Sequence, residues 1–221
     1  MKKIKVDKDS HGTIAFIWML MAAFIAASVI FIHNMFVLVP LVVIFLAFAF
    51  FGFWFHRVPD RGTPAGDGRT ITSVADGKVV IVDRVYEKEY FKDDRIQISV
   101  YMDFFDVHSN FWPMDGEISY YKYHPGKYLL AFLPKASEKN EHSSTAIRND
   151  HGEILFRQIA GTFARRIVCY SKEGDKVERA KQCGIIKFGS RIDIFLPLDA
   201  DVKVKEGDVT RACETVIAEL K

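Results

Sequence analysis

The sequence predicts a mostly β (α+β) domain carried on an N-terminal transmembrane helical hairpin. Three observations predict it. Residues 14–55 contain no Asp, Glu, Lys or Arg, which is enough apolar chain to cross a bilayer twice at 1.5 Å per residue. Residues 57–221 break into short β-prone runs separated by Gly, Pro, Asn and Asp, the punctuation of an antiparallel fold. No repeat period, low-complexity tract or sustained heptad pattern competes with that reading. The expected division is therefore residues 1–56, a tail and membrane anchor, and residues 57–221, a globular domain long enough for its own core.

The anchor comes first. Residues 14–32 form one apolar run and residues 35–55 another, with His33-Asn34 between them. Each spans roughly 30 Å of hydrocarbon as a helix. A secretory signal fits less well, because its apolar core is shorter and ends in small residues at a cleavage site. A single tilted or interfacial element stays open. Lys2, Lys3, Lys5 and Lys8 precede the first run, and His56, Arg57 and Arg61 follow the second. Positive charge at both outer ends puts both on the cytoplasmic side of the cell membrane. Phe50, Phe51, Phe53, Trp54 and Phe55 then lie at headgroup level.

Residues 57–69, rich in Gly, Pro and charge, read as a linker. Strands are expected over residues 71–82, 96–102, 116–123, 128–133, 153–160, 164–170 and 192–196. Within the first, Asp76-Gly77 reads as a hairpin turn. His124-Pro125-Gly126, Asp150-His151-Gly152 and Glu173-Gly174-Asp175 mark further turns. The tail over residues 205–220 ends in a short helix or strand.

Charge and composition exclude some functions. Thirty Lys and Arg against 28 Asp and Glu leave a net charge of +2, so nothing marks a nucleic-acid binder. Cys169, Cys183 and Cys213 are odd in number and widely spaced, which fits neither a disulfide framework nor a CxxC metal site and points to a reducing compartment. His11, His33, His56, His124, His142 and His151 show no metal-ligand spacing, so no metal site is expected.

The domain is organised around residues 184–197. A β-prone run breaks at Gly189-Ser190 and resumes with Ile192, Ile194 and Leu196 alternating against Asp193. A glycine there marks a bulge, a turn or a close backbone approach. A small exposed serine at such a kink is also a candidate nucleophile, because a hydroxyl against a strained carbonyl needs little else to attack it. Asp76 reads either as a turn residue chosen for backbone tolerance or as a carboxylate that orients a histidine. His108, among Phe105, Phe111 and Trp112, reads either as a satisfied core residue or as a base. Lys135 lies in a polar segment, and the Arg165-Arg166 pair suits a phosphate or carboxylate as well as a solvated face.

Phe188-Gly189-Ser190-Arg191-Ile192-Asp193-Ile194-Phe195-Leu196-Pro197 resembles the self-cleavage site of phosphatidylserine decarboxylase proenzymes in their compact form. Other segments resemble that family in the same order: the aromatic, Arg and Pro stretch 53–61, Ala75-Asp76-Gly77, residues 105–116 with Asp106-Val107-His108, residues 135–141 beginning at Lys135, and residues 158–166 with Gly161-Thr162-Phe163-Ala164-Arg165-Arg166. Longer members carry a second histidine three residues after the first. That second histidine is often treated as the base in the family; Phe111 stands there in this chain, and the resemblance carries the base over to His108.

The resemblance implies pyruvoyl-dependent decarboxylation of phosphatidylserine to phosphatidylethanolamine and CO2, by an enzyme made as a proenzyme. It implies that the Ser190 hydroxyl attacks the Gly189 carbonyl to give an ester. Elimination then leaves dehydroalanine, which loses ammonia and becomes the pyruvoyl group. Residues 1–189 and 190–221 become the two chains of a heterodimer, with any further oligomerisation left open. The group forms a Schiff base with the substrate amine and takes up the electrons left by CO2, so no exogenous cofactor is implied. Asp76 and His108 are implied as catalytic, and Lys135, Arg165 and Arg166 as substrate-binding.

The rival is a non-catalytic, membrane-tethered β module of the lipoyl or adaptor kind. Pro113-Met114-Asp115-Gly116-Glu117-Ile118 looks like turns in such domains. A lipoyl domain wants an exposed Lys at a tight turn, for which Lys78 is a poor candidate, and an adaptor wants a coiled-coil hairpin that is absent.

Overall fold

The computed structural model describes residues 4–127, 140–161, 167–187 and 190–221. The chain divides into two compact units, Met1–Asp60 and Arg61–Lys221. The first contains β1 (Ile4–Val6), α1 (His11–Phe31), α2 (Met35–Phe55) and β2 (Arg57–Pro59). Asp7 starts the helical part by accepting from Asp9 N at 3.1 Å and Ser10 Oγ at 2.8 Å. Asn34 begins α2 in the same way, its side chain accepting from Phe36 N at 2.9 Å, which satisfies one of the donors a helix start leaves over. The break between the apolar runs therefore has a cap built into it. Both helices are long and apolar enough to cross a membrane, and only 11% and 6% of their apolar windows are buried. An apolar helix whose sides are left uncovered is not a core helix. Residues 57–59, read from sequence as linker, instead pair as β2 with β1.

The second unit holds β3 (Thr70–Thr72), β4 (Gly77–Glu87), β5 (Asp93–Met102), β6 (Ser109–Phe111), β7 (Gly116–His124), β8 (His142–Asn149) and β9 (Gly152–Ala160). It continues with β10 (Ile167–Cys169), β11 (Lys176–Val177), β12 (Gln182–Ile186), β13 (Ser190–Leu196), β14 (Asp201–Val202), β15 (Val209–Thr210) and β16 (Val216–Glu219). An eight-stranded antiparallel sheet runs β11-β7-β8-β9-β13-β5-β4-β15, with two three-stranded sheets, β10-β12-β6 and β14-β16-β3. The mostly β architecture with two N-terminal apolar helices is the one expected.

Two local expectations change. Asp76-Gly77 is not a hairpin turn, because β3 pairs with β16 while β4 pairs with β5 and β15. The dipeptide carries the chain from one sheet to another. Gly77 is required there: its φ is +151°, and a Cβ would lie 2.1 Å from the Tyr101 carbonyl oxygen. The run over residues 184–197 is not one bulged strand either. Its first part is β12, in the sheet with β6 and β10; its second part is β13, in the large sheet. The expected strand over residues 128–133 lies outside the described residues.

Strand β13 sits between β9 and β5, and all seven of its residues are buried. Ile192, Ile194 and Leu196 enter the main core beside Ile98, Val100 and Met102 of β5 and Phe156 of β9. Each such side chain stabilises the fold by about 1.5–3 kcal/mol on burial. Arg191, Asp193 and Phe195 point to the other face, as strand alternation requires.

Candidate active site

Ser190 is the first residue of β13, opposite Met102 of β5 on one side and Ala160 of β9 on the other. The sequence suggested an exposed serine at a kink; in the structure it is fully buried, because the break falls where the chain leaves one sheet and enters the middle of another. Its hydroxyl donates to Met102 Sδ at 2.9 Å. The same sulfur receives Asn110 Nδ2 at 3.8 Å. Asn110 Oδ1 accepts from Gln158 Nε2 at 2.9 Å, and Gln158 Oε1 from Ser143 Oγ at 3.0 Å. A buried polar chain thus runs from β8 through β9 and β6 to Ser190. Close packing enforces it at Gly184 of β12, where a Cβ would stand 2.2 Å from the Val168 carbonyl oxygen and 2.9 Å from Gln158 Nε2.

On the opposite face, the next residues form a buried ion pair: Arg191 Nε lies 2.8 Å from Asp193 Oδ1, and Arg191 Nη2 donates to Asp193 Oδ2 at 3.0 Å. Ser99 Oγ donates to Asp193 Oδ1 at 2.7 Å, and Gln97 Nε2 to Ser99 Oγ at 2.8 Å. Two charges removed from water need this much hydrogen bonding to be tolerated.

His108 is buried two residues before Asn110, and its carbonyl accepts from Ile186 N at 3.2 Å, which ties it to the end of β12. Its Nδ1 lies 3.0 Å from the Asp106 carbonyl oxygen. A carbonyl only accepts, so Nδ1 carries the proton and Nε2 is the basic nitrogen of the neutral ring. Phe111 is buried, with its N–H bonded to the Val74 carbonyl at 3.0 Å.

Asp76 meets a different partner from the one the sequence suggested. Arg61 grips it with both terminal nitrogens, Nη1 on Oδ1 and Nη2 on Oδ2 at 2.6 Å. Ala212 N adds a bond to Oδ1 at 2.9 Å. Among the described residues no histidine bonds to Asp76. Burial works against the Arg61 charge, but the hydrogen bonds and charge of Asp76 outweigh it and hold its pKa above the ordinary value. Burial pushes the neighbouring Cys213 thiol up to about 12 despite the Arg61 charge, so it is inert at neutral pH.

Gly189, Lys135, Arg165 and Arg166 lie outside the described residues. Sequence reading missed Arg61, Met102, Asn110 and Gln158 as partners of the site. Arg61, Asn110 and Gln158 fall inside stretches that resemble the family, but the resemblance assigned them no role.

These features define a predominantly antiparallel β protein with a buried serine where the chain passes from one sheet to another. A family model described as phosphatidylserine decarboxylase matches residues 48–218. The chain is 50% identical over 173 residues to a phosphatidylserine decarboxylase proenzyme of Amoebophilus asiaticus, covering 76% of each chain. It is 49% identical over 166 residues to one of Cytophaga hutchinsonii, covering 75% of each. A third, from Porphyromonas gingivalis, is 38% identical over 221 residues, covering 98% of this chain and 99% of the relative. The chain belongs to the phosphatidylserine decarboxylase family and is a carboxy-lyase. The non-catalytic rival falls away.

Proposed function

We propose that the chain is a membrane-anchored proenzyme that cuts its own backbone between Gly189 and Ser190 and then converts phosphatidylserine to phosphatidylethanolamine and CO2. The observation that carries this reading is the placement of Ser190 at the buried start of the central strand, with a thioether as its hydrogen-bond acceptor. A thioether accepts weakly, so it holds the hydroxyl proton loosely and leaves it transferable to a stronger base as the oxygen attacks the preceding carbonyl. Gly189 suits that carbonyl, because a residue without Cβ tolerates strained geometry. His108 Nε2 takes the hydroxyl proton, a role worth roughly 10²–10⁴-fold in rate. Asp76, held by Arg61, contributes its field and the position of its turn rather than a hydrogen bond to the ring. The ester then loses the Cα proton of residue 190 and expels the new carboxylate of Gly189. Water releases ammonia from the dehydroalanine left behind, giving a pyruvoyl group at position 190.

The residues fit that group, since the amide chain of Asn110 and Gln158 supplies neutral, oriented dipoles in a site shielded from water. Asn110 and Gln158 would flank that group, and its carbonyl would supply the electron sink that decarboxylation of the substrate amine needs. Lys135, Arg165 and Arg166 are proposed to bind the anionic parts of the lipid. The two chains remain packed as a heterodimer, and the positive flanks of α1 and α2 put the domain on the cytoplasmic side.

Intact mass of the purified protein under denaturing conditions tests the reading. Two species are expected, the smaller being residues 190–221 with a blocked N-terminus. An active preparation containing only the 25.3 kDa chain overturns it. Ser190→Ala should be neither cut nor active.

A further inference from the structure

We propose that Glu89, His124 and His142 form a binding site for a divalent transition metal of the zinc type, on the face of the large sheet opposite the Ser190 side chain. Strand register brings two of the ligands together. β7 ends at His124 and β8 begins at His142, and the antiparallel pairing sets them directly across from each other. Their rings stack with centroids 4.3 Å apart and planes 15° from parallel. Glu89, two residues beyond β4, supplies the third group, its Oε1 lying 2.5 Å from His124 Nε2. One ligand atom from each of the three lies within 4.8 Å of the others. Zinc bonds of about 2.0–2.2 Å put neighbouring ligand atoms about 3.3 Å apart in a tetrahedron, so the two stacked rings must tilt out of parallel to aim both nitrogens at one ion.

The surroundings prepare each ligand. His142 Nδ1 lies 2.7 Å from the Asn140 carbonyl oxygen and so carries the proton, which leaves Nε2 with the lone pair a metal needs. Glu89 Oε2 accepts from Ser144 Oγ at 2.7 Å and Arg157 Nη2 at 2.9 Å, and Tyr120 donates to Oε1 at 3.0 Å. Arg157 does not cancel the site for a cation, because its Nη2 also binds the buried Glu87 at 2.5 Å. Two carboxylates against one guanidinium leave a formal charge of −1. The metal takes the place of the hydrogen bond between His124 Nε2 and Glu89 Oε1, and water completes the shell. These groups line a groove of about 1080 Å³ that opens to solvent, which supplies the entry path.

Arg157 lies over the Phe195 ring at 4.8 Å, and Phe195 points away from the Ser190 face. The metal is therefore no participant in decarboxylation. It clips together the two strand ends from which the connection over residues 125–141, with Lys135 in it, departs.

The test uses full-length protein in detergent, stripped with EDTA, desalted and titrated with Co²⁺ as a spectroscopic stand-in for Zn²⁺. The expected result is one equivalent bound with visible bands and no thiolate charge-transfer feature, together with a rise in melting temperature. His142→Gln and Glu89→Gln should each weaken binding at least about 10-fold, while Ser190→Ala should bind as wild type. Circular dichroism of the metal-free variants checks folding, and His142→Gln keeps a side chain of similar reach in case a smaller one fails to fold. No binding by the wild type, thiolate bands, or undiminished binding in both folded variants overturns the proposal.

Discussion

The Asp76 carboxylate is bonded by Arg61 and by the backbone of Ala212, while His108 turns its protonated nitrogen to the Asp106 carbonyl. The two residues therefore have separate hydrogen-bond partners, and the tasks proposed for them can be tested apart. His108→Ala should slow self-cleavage by roughly 10²–10⁴-fold, since it removes the proposed proton acceptor. Asp76→Asn keeps the backbone geometry but not the charge, so its slowing should be smaller, and Arg61→Met should match it. A gel time course of cleavage, with folding checked by circular dichroism, measures all three. Wild-type rates in both His108→Ala and Asp76→Asn end the assignment. Short motifs single out Ser190, His108 and Asp76 as candidates, whereas the neighbours of Arg61, Met102 and Asn110 are set by the fold, which no local pattern states.

Among the strands, β13 and β8 show why period-two reading succeeds and fails. Ile192, Ile194 and Leu196 alternate visibly, but Arg191 and Asp193, which sequence logic sends to solvent, are wholly buried as a pair. Removing one partner of such a pair strands a charge: Asp193→Ala should cost about 3–5 kcal/mol, whereas Arg191→Met with Asp193→Leu should cost far less or nothing. Thermal unfolding of full-length Ser190→Ala protein in detergent carrying these changes measures it without interference from processing. Equal losses in the single and double variants would contradict the account. β8 went unseen because His142-Ser143-Ser144-Thr145 looks like a polar loop. Each hydroxyl has a partner instead, Ser143 with Gln158, Ser144 with Glu89 and Thr145 with Ser171, and satisfied hydroxyls can be buried on both faces of a sheet. The Asp76-Gly77 signal was read for its turn chemistry correctly and for its pairing wrongly, since a dipeptide does not say which strands it joins.

For the molecule as a whole, the charge-free stretch and its capped interruption at Asn34 were the most readable features, because membrane length and helix rise leave little freedom. The proposed orientation predicts that full-length protein sediments with membranes and resists salt and alkaline washing. Protease added to sealed right-side-out vesicles should leave residues 61–221 intact, and added to inverted vesicles should degrade them. The opposite pattern would reverse the sidedness. One consequence follows from the strand order. β13 inserts between β5 and β9, both of which precede it in the chain, so the site around Ser190 has no walls until those strands are already in place to receive it. Under the proposed mechanism a half-folded chain has nothing with which to cut itself. Scission then works as an inspection stamp, given only to molecules whose sheet has closed, and a population's ratio of cut to uncut chains becomes a direct count of how many have passed.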